Sequence, residues 1–394
     1  MIKPTRAILA GAIAAALAFA APAQAQQQKL KIGFISTFSG PQGVMGQFMK
    51  EAVEIALQQL GGKVGGLETE MFYGDDQVKP DVGVQVAEEM LKKNQVDFVS
   101  GIIWSNVMLA VVPVVTGAGK IMVGSNAGAS PLAGSQCNEM YFSTSWNNDQ
   151  TPEAMGKYLQ DSGVNDIYVL APNYQAGKDM VAGLKRYYKG RIVEENYTKL
   201  GQQDYQAEIS QLRSKNPKAV FVFYPGGMGI NFIKQYVQAG LRENIPLYSV
   251  FTVDETTLPA LGDAAIGQWE TRFWSPDMKT PASQKYVNDF RKKFGYTPSL
   301  YGAQTYDGIM LIDSAVRATK GNLKDTQALV KEMRKANFNS VRGKFEYNVN
   351  HHPIQNFYLL KTVKTGGGDI EMHIEKTIFE KHKDSYYQDC KMKW

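Results

Sequence analysis

Two short stretches carry residues suited to binding chemistry: Ser105-Asn106 and Ser125-Asn126-Ala127-Gly128-Ala129-Ser130-Pro131. Their side chains are small and polar, so backbone N–H groups are left bare, and a helix N-terminus beside them favours an anion. Ordinary strand-to-helix turns have the same composition. These two differ in being neighbours. Val96 to Ile103 is an apolar run of strand length, Ser105-Asn106 can cap a helix from Val107 to Thr116, and Ile121 to Val123 is a second buried strand. Two strands joined by a crossover helix lie parallel and side by side, so both turns open at one sheet edge, where ligands sit in open α/β sheets.

Other chemistries find little support. A secreted hydrolase needs a nucleophile with a base in reach, but the chain has no G-x-S-x-G. Its histidines, His351, His352, His373 and His382, all fall in the last part of the chain, away from the strand-end turns. Gly40, Gly43 and Gly46 do not have dinucleotide-loop spacing, and no cofactor is expected. Cys137 and Cys390 are not joined by further closely spaced ligands, so no metal site is expected. The net charge of +5 arises from interleaved bases and acids without a basic stripe, which argues against nucleic acid.

The first residues form a leader. Lys3 and Arg6 precede the apolar stretch Ala7 to Ala20 and the small-x-small site Ala23-Gln24-Ala25, the pattern of a secretory signal peptide cleaved after Ala25. No cysteine adjoins that site to carry a lipid, and no later run is apolar enough to span a membrane. Export makes a disulfide the expected state of Cys137 and Cys390.

The elements that must position the two turns repeat one pattern. Leu30 to Thr37 is a strand, Phe38 to Gly46 a glycine-rich loop, Gln47 to Leu60 a helix, Leu67 to Tyr73 a strand and Asp81 to Asn94 a helix. With the stretch above, this is a doubly wound parallel sheet. A second series runs from the helix Thr151 to Asp161 through strands at Asp166 to Ala171, Arg191 to Tyr197, Ala219 to Tyr224 and Pro246 to Phe251. Its turns are Pro172 to Gly177 and Pro225 to Gly229, and helices run from Lys178 to Tyr188, Tyr205 to Lys215 and Ile230 to Ala239. Three helices, Pro281 to Phe294, Tyr301 to Thr319 and Lys324 to Ala336, precede strands at Gly343 to Tyr347 and Ile354 to Val363. The tail from His373 onward has no clear pattern.

The stretches KIGFISTFSGPQGVMG, GIIWSNVMLAVVP, SNAGASP, YPGGMG leading into FIKQYVQAGL, and YGAQTYDGIMLI together resemble the leucine/isoleucine/valine-type substrate-binding proteins of ABC transporters, over essentially the whole chain after the leader. The resemblance implies the type I periplasmic binding fold: two α/β lobes joined by three crossovers, with ligand held between them. Lobe one would be residues 29–146 plus 281–347 and lobe two 147–277 plus 348–394. The crossovers would lie near Ser143–Asn147, Phe273–Pro276 and Tyr347–His351. The implied protein is a periplasmic monomer that closes on a small solute and presents it to an inner-membrane permease.

Within that family, amino-acid binders hold the ligand carboxylate on the two lobe-one turns, matched here by Ser105-Asn106 and Ala127-Gly128-Ala129, and the ammonium on a lobe-two carboxylate, matched by Asp254. Ala129 replaces a frequent hydroxyl, and bulky Trp104 precedes the serine. Both departures weaken the match to an amino-acid binder, and the chain more closely resembles the branch that binds aromatic carboxylates such as benzoates and hydroxycinnamates. An amino-acid binder of the same family is the alternative, and a periplasmic sensory protein is one of another class. The expected cleft also takes Phe38 and Met45 from the first loop, and Asn126, Tyr174, Tyr224, Met228, Phe251 and Thr252 from strand ends and turns. Tyr301 and Gln304 join them from the start of a lobe-one helix.

Overall fold

The computed structural model describes residues 1–2 and 28–393, so the leader's apolar core and cleavage site lie outside the described residues. The first lobe is built on a sheet of β1 (Leu30–Ser36), β2 (Lys63–Val64), β3 (Leu67–Asp75), β4 (Phe98–Gly101), β5 (Ile121–Gly124) and β6 (Tyr141–Ser143), in the order β2-β3-β1-β4-β5-β6. All pairings are parallel except the β2–β3 hairpin. β4 and β5 are buried throughout, as expected of strands covered on both faces. The connecting helices are α1 (Gly43–Gln59), α2 (Pro80–Glu89), α3 (Ser105–Gly117) and the short α4 (Ser130–Ala133).

The second lobe follows with α5 (Gln150–Asp161), β7 (Asp166–Pro172), α6 (Gln175–Tyr187), β8 (Arg191–Thr198), α7 (Gln206–Lys215), β9 (Ala219–Val222), α8 (Gly227–Gln238), β10 (Leu247–Ser249), α9 (Leu258–Leu261) and β11 (Trp269–Arg272). The chain then returns to the first lobe through α10 (Pro281–Phe294), α11 (Leu300–Ala318) and α12 (Thr326–Arg334), with α10 and α11 packed on α1. α10 has sharp ends. Thr280 Oγ1 accepts from Ser283 N at 3.2 Å, Pro281 opens the first turn, and Gly295 closes the last at φ +82°.

The final strands, β12 (Glu346–Tyr347), β13 (Pro353–Lys364) and β14 (Ile370–His382), complete the second sheet. Its order is β12-β13-β11-β10-β9-β7-β8, with β14 on β13. β13 runs antiparallel to both β11 and β14. The second lobe is therefore a parallel sheet of β8, β7, β9, β10 and β11 extended by antiparallel strands at one edge. β14 mixes half-buried and exposed positions and carries repeated charges, so its alternation is weak in sequence.

Several boundaries shift toward the cleft. α1 begins at Gly43, inside the expected glycine-rich loop. Its glycines are needed for close approach: a Cβ at Gly46 would lie 2.0 Å from Thr37 O, and one at Gly43 2.7 Å from Phe38 O. Likewise α6 starts at Gln175 and α8 at Gly227, so residues expected in turns occupy first helical turns. A Cβ at Gly177 would lie 1.8 Å from Pro172 O, which explains why this helix can fold so tightly against its own strand.

The three joins between lobes meet at Arg342. Its guanidinium donates to Thr144 O at 2.6 Å and Ser145 O at 3.0 Å on the first join, and lies 5.3 Å from the Phe273 ring centroid on the second. It also bonds Gln355 Oε1 at 2.8 Å beyond the third, and pairs with fully buried Asp307 at 2.9 Å. Burial pushes Asp307 up and Arg342 down despite their attraction, as desolvation of a buried pair does. A disulfide joins Cys137 to Cys390, with Cα atoms 5.6 Å apart. It ties the segment after β14 to the first lobe just beyond α4.

Candidate functional site

In both sheets the order reverses at one point: between β1 and β4 in the first, and between β7 and β9 in the second. A crevice opens at the carboxyl ends of such strands. The two crevices face one another and enclose a narrow cavity of about 20 Å³. Ile103, Trp104 and Ser105 follow β4, and Asn126 and Ala127 follow β5. Tyr174, Ala176 and Met180 come from the start of α6, Phe223 and Pro225 follow β9, and Phe251 follows β10. Trp146 and Asn148 come from the first join, and Tyr301 from the first turn of α11.

Six of these side chains are aromatic, and none is charged. The rings form a continuous wall. Trp146 stacks on Phe251 with centroids 4.5 Å apart, Trp104 tilts on Tyr174 at 6.0 Å, Tyr174 stacks on Phe223 at 6.3 Å, and Phe251 lies 6.5 Å from Tyr301. Such spacings are those of direct aromatic contact. Trp104 donates through Nε1 to Thr37 Oγ1 at 2.8 Å, so its indole is fixed by the end of β1.

One wall position, Phe251 at φ +54°, and one beside the wall, β-branched Ile102 at φ +66°, sit in the left-handed backbone region. That conformation is unfavourable for both residue types. Neighbouring bonds hold it. Ile102 N donates to Ile35 O at 2.6 Å and Ile102 O accepts from Ala127 N at 3.1 Å. Phe251 N and Val253 N both donate to the Glu270 carboxylate, at 3.1 and 3.0 Å, and Arg272 holds that carboxylate through Nε at 2.9 Å.

The polar groups of the wall cluster near the N-terminus of α3. Ser105 opens this helix, and Trp104, not Ser105 or Asn106, is its N-cap residue. The first intrahelical bond there runs from Met108 N to Trp104 O, so the three preceding N–H groups have no helical partner. Ser105 Oγ accepts from Asn148 Nδ2 at 3.0 Å, which leaves its own proton available. The second turn offers less than its sequence suggests. Gly128 N donates to Asn148 Oδ1 at 3.2 Å, and Ser130 N to Asp179 Oδ2 at 3.1 Å. Asp179 also accepts from Ser130 Oγ at 2.7 Å, Asn148 Nδ2 at 2.9 Å and Gln175 Nε2 at 2.8 Å. A lobe-two carboxylate thus takes the Ser130 donors, and Asn148 takes the Gly128 N–H that the sequence assigns to a solute. A second bond across the cleft runs from Gly227 N to Gln42 Oε1 at 3.2 Å.

Of the residues expected in the cleft, Trp104, Ser105, Asn126, Ala127, Tyr174, Phe251 and Tyr301 line the cavity together. The others lie outside its wall. Phe38 packs edge-on against Tyr73 at 6.1 Å, because Asp75 Oδ1 accepts from its backbone N. Met45 abuts the lobe-two turn at Gly226. Asn106 is one residue further along α3, with a buried, unpartnered Oδ1. Gly128 is clamped to the first join, its O accepting from Asn148 N at 2.7 Å, and Ala129 leads into α4. Tyr224 packs on Tyr205 and Phe232 and accepts from Thr198 Oγ1. Met228 Sδ accepts from Gly201 N, and Thr252 Oγ1 from Tyr224 N. Gln304 stands behind Asn126, donating to its Oδ1 at 2.6 Å.

Asp254 is also outside the wall. It is fully buried, and Oδ1 accepts from Thr256 N and Oγ1 at 2.7 and 2.5 Å. Burial raises its pKa to about 7, against the pull of Arg272 and with the push of Glu270 and Glu255. Trp146, Asn148, Met180 and Phe223 were missed. Trp146 and Asn148 lie on a join read only as a linker, Met180 is five positions into its helix, and Phe223 was absorbed into a longer strand. A larger groove between α10 and β14 is lined by Asp277, Lys279, Arg291, Glu371 and His373, among others, and lacks the aromatic wall.

Two facing crevices across three joins agree with what the sequence shows: residues 29–368 match the periplasmic binding protein family. The chain belongs to that family. It is a family of binding proteins, not enzymes. Leu/Ile/Val-binding protein homolog 6 of Brucella melitensis is 28% identical over 365 residues, covering 90% of this chain and 93% of that protein. A solute-binding protein of an ABC transporter from R. palustris, solved in complex with benzoate, superposes with a TM-score of 0.88 at 27% identity, over 93% of this chain and all of that one. Another from Rhodopseudomonas palustris BisB5, in complex with 3,4-dihydroxybenzoic acid, gives 0.85 at 26% identity, over 91% and 99% of the two chains.

Proposed function

We propose that this periplasmic binding protein is the solute-binding component of an ABC importer and that its solute is a small aromatic carboxylate. One observation carries the reading: the interlobe cavity is walled by six aromatic side chains and no charged one. An aromatic ring gains from such a wall. Burying about 150 Å² at ~25 cal/mol per Å² contributes roughly 4 kcal/mol. A carboxylate would lie at the N-terminus of α3, where the free N–H groups and Ser105 Oγ are suitable donors and the helix dipole adds ~0.3–1 kcal/mol. The two R. palustris relatives, whose structures hold benzoate and 3,4-dihydroxybenzoic acid, support this class.

The named amino-acid homologue favours a second reading, a branched-chain amino acid. Its ammonium would need a carboxylate in the wall. Asp254, the expected one, is turned into its own loop and lies outside. Asp179 is engaged by Ser130, Asn148 and Gln175.

Calorimetric titration with 4-hydroxybenzoate, a hydroxycinnamate and leucine separates the two. The aromatic acids bind and leucine does not, and Asp254→Asn retains the aromatic affinity. Tight leucine binding abolished by Asp254→Asn would replace this reading with the amino-acid one. We further propose that the mature chain begins at Gln26, which the intact mass of periplasmic material checks.

A further inference from the structure

We propose that the solute carries a ring hydroxyl as well as its carboxylate, and that Tyr301 is the residue that selects for it. The inference rests on the aromatic-carboxylate reading above. Among the described residues, two of those lining the cavity carry a buried polar atom without a hydrogen-bond partner: Trp146 at its indole Nε1 and Tyr301 at its hydroxyl. The two residues are 3% and 1% exposed, so water does not serve them freely. A buried polar group left unpaired is costly, and a bound molecule that reaches either atom removes that cost.

The chemistry of each atom says which partner. An indole N–H only donates and must meet an acceptor, and an ionised carboxylate only accepts. Trp146 is two residues from Asn148, which bonds Ser105 at the head of α3, so its donor belongs to the carboxylate end. Tyr301 both donates and accepts, as does a phenolic hydroxyl. Its surroundings are negative: Asp254, with a buried, unpartnered Oδ2, and then Glu270 are its main charged neighbours and help to raise the Tyr301 hydroxyl pKa, chiefly raised by burial, with Arg272 opposing. An acceptor-only carboxylate finds no suitable donor at that end beyond the Tyr301 hydroxyl itself, while a neutral O–H donor finds acceptors there. Phe251 lies between the two ends, stacked on Trp146 and 6.5 Å from the Tyr301 ring. The solute's ring therefore runs along Phe251, carboxylate toward Trp146 and α3, hydroxyl toward Tyr301.

The test is calorimetry with benzoate, 3-hydroxybenzoate and 4-hydroxybenzoate on the full-length mature protein, Tyr301→Phe and Trp146→Phe. The unaltered protein binds one hydroxybenzoate at least about tenfold more tightly than benzoate, because a site built for a hydroxyl is left unpaired by the analogue lacking it. Tyr301→Phe removes that preference, bringing the ratio of hydroxybenzoate to benzoate affinity to about one, with the larger loss on the hydroxybenzoate. Trp146→Phe weakens all three by a common factor. Equal binding of the three acids by the unaltered protein overturns the assignment without touching the solute class. So does an equal loss for all three in Tyr301→Phe, which would mark Tyr301 as a packing or Asp254-facing residue. Binding of none of the three overturns the solute class itself, and the assignment with it.

Discussion

Asp254 shows how a residue's surroundings override its type. By sequence it is the acid best placed to meet an ammonium, yet Thr256 and the Arg272 cluster draw it into the second lobe. Its pKa of about 7 in the folded chain, against 3.8 ordinarily, means that the folded state holds a proton the unfolded chain has released. Stability from that proton is present below about pH 4 and is lost as pH rises to about 7. Without solute, Asp254→Asn is expected to gain melting temperature relative to the unaltered protein as pH goes from 4 to 8, by the equivalent of a few kcal/mol. A difference that stays flat across that range would show that the carboxyl is ionised in the fold throughout. The wall residues legible in the sequence were those at strand ends, Trp104, Tyr174 and Phe251, because strand ends can be placed from apolar runs. Trp146 and Phe223 were not, since their roles depend on a join and a strand end whose positions only the packing of both lobes fixes.

At the scale of elements, the glycines near the cleft are spacing devices for helices that begin right on their strands. The sequence places the strands well, but α1, α6 and α8 begin three or four residues earlier than their apolar stripes suggest. The first turns hold Gly46, Gly177 and Gly229, which lower helix propensity while permitting close backbone approach. Gly46→Ala forces a Cβ to within 2.0 Å of Thr37 O and should cost roughly 2–4 kcal/mol in urea unfolding. Gly117→Ala, at the end of α3 with nothing within 4 Å and a negative φ, should instead add about 0.5–1 kcal/mol. Equal effects of the two would contradict the spacing role. Arg342 is the corresponding device at the joins. Arg342→Met strands Asp307 as an unpaired buried charge and is expected to cost about 3–5 kcal/mol, whereas the double variant with Asp307→Leu recovers much of it.

The whole molecule is two switch-point crevices closed on each other, held by direct bonds at Gly227–Gln42 and Ser130–Asp179 and by joins gathered on Arg342. Its doubling was legible because each lobe repeats the strand–helix period. The antiparallel β13–β14 edge was not, because an edge strand with one wet face has little apolar signal. The disulfide follows export logic, and it makes the segment after β14 a further tie between lobes. Cys390→Ser should lower the melting temperature by several degrees while leaving solute affinity within about threefold, since the tie lies away from the cavity wall. A large affinity loss would place the tie in the closing equilibrium. The central claim is that an aromatic carboxylate sits between the lobes on the aromatic wall. A crystal structure of the protein grown with saturating 4-hydroxybenzoate tests it most directly. The account predicts density for the ring between Trp104, Trp146, Tyr174, Phe223 and Phe251, with the carboxylate at Ser105. A ring bound in the groove between α10 and β14, or an empty cavity at saturating solute, would contradict it.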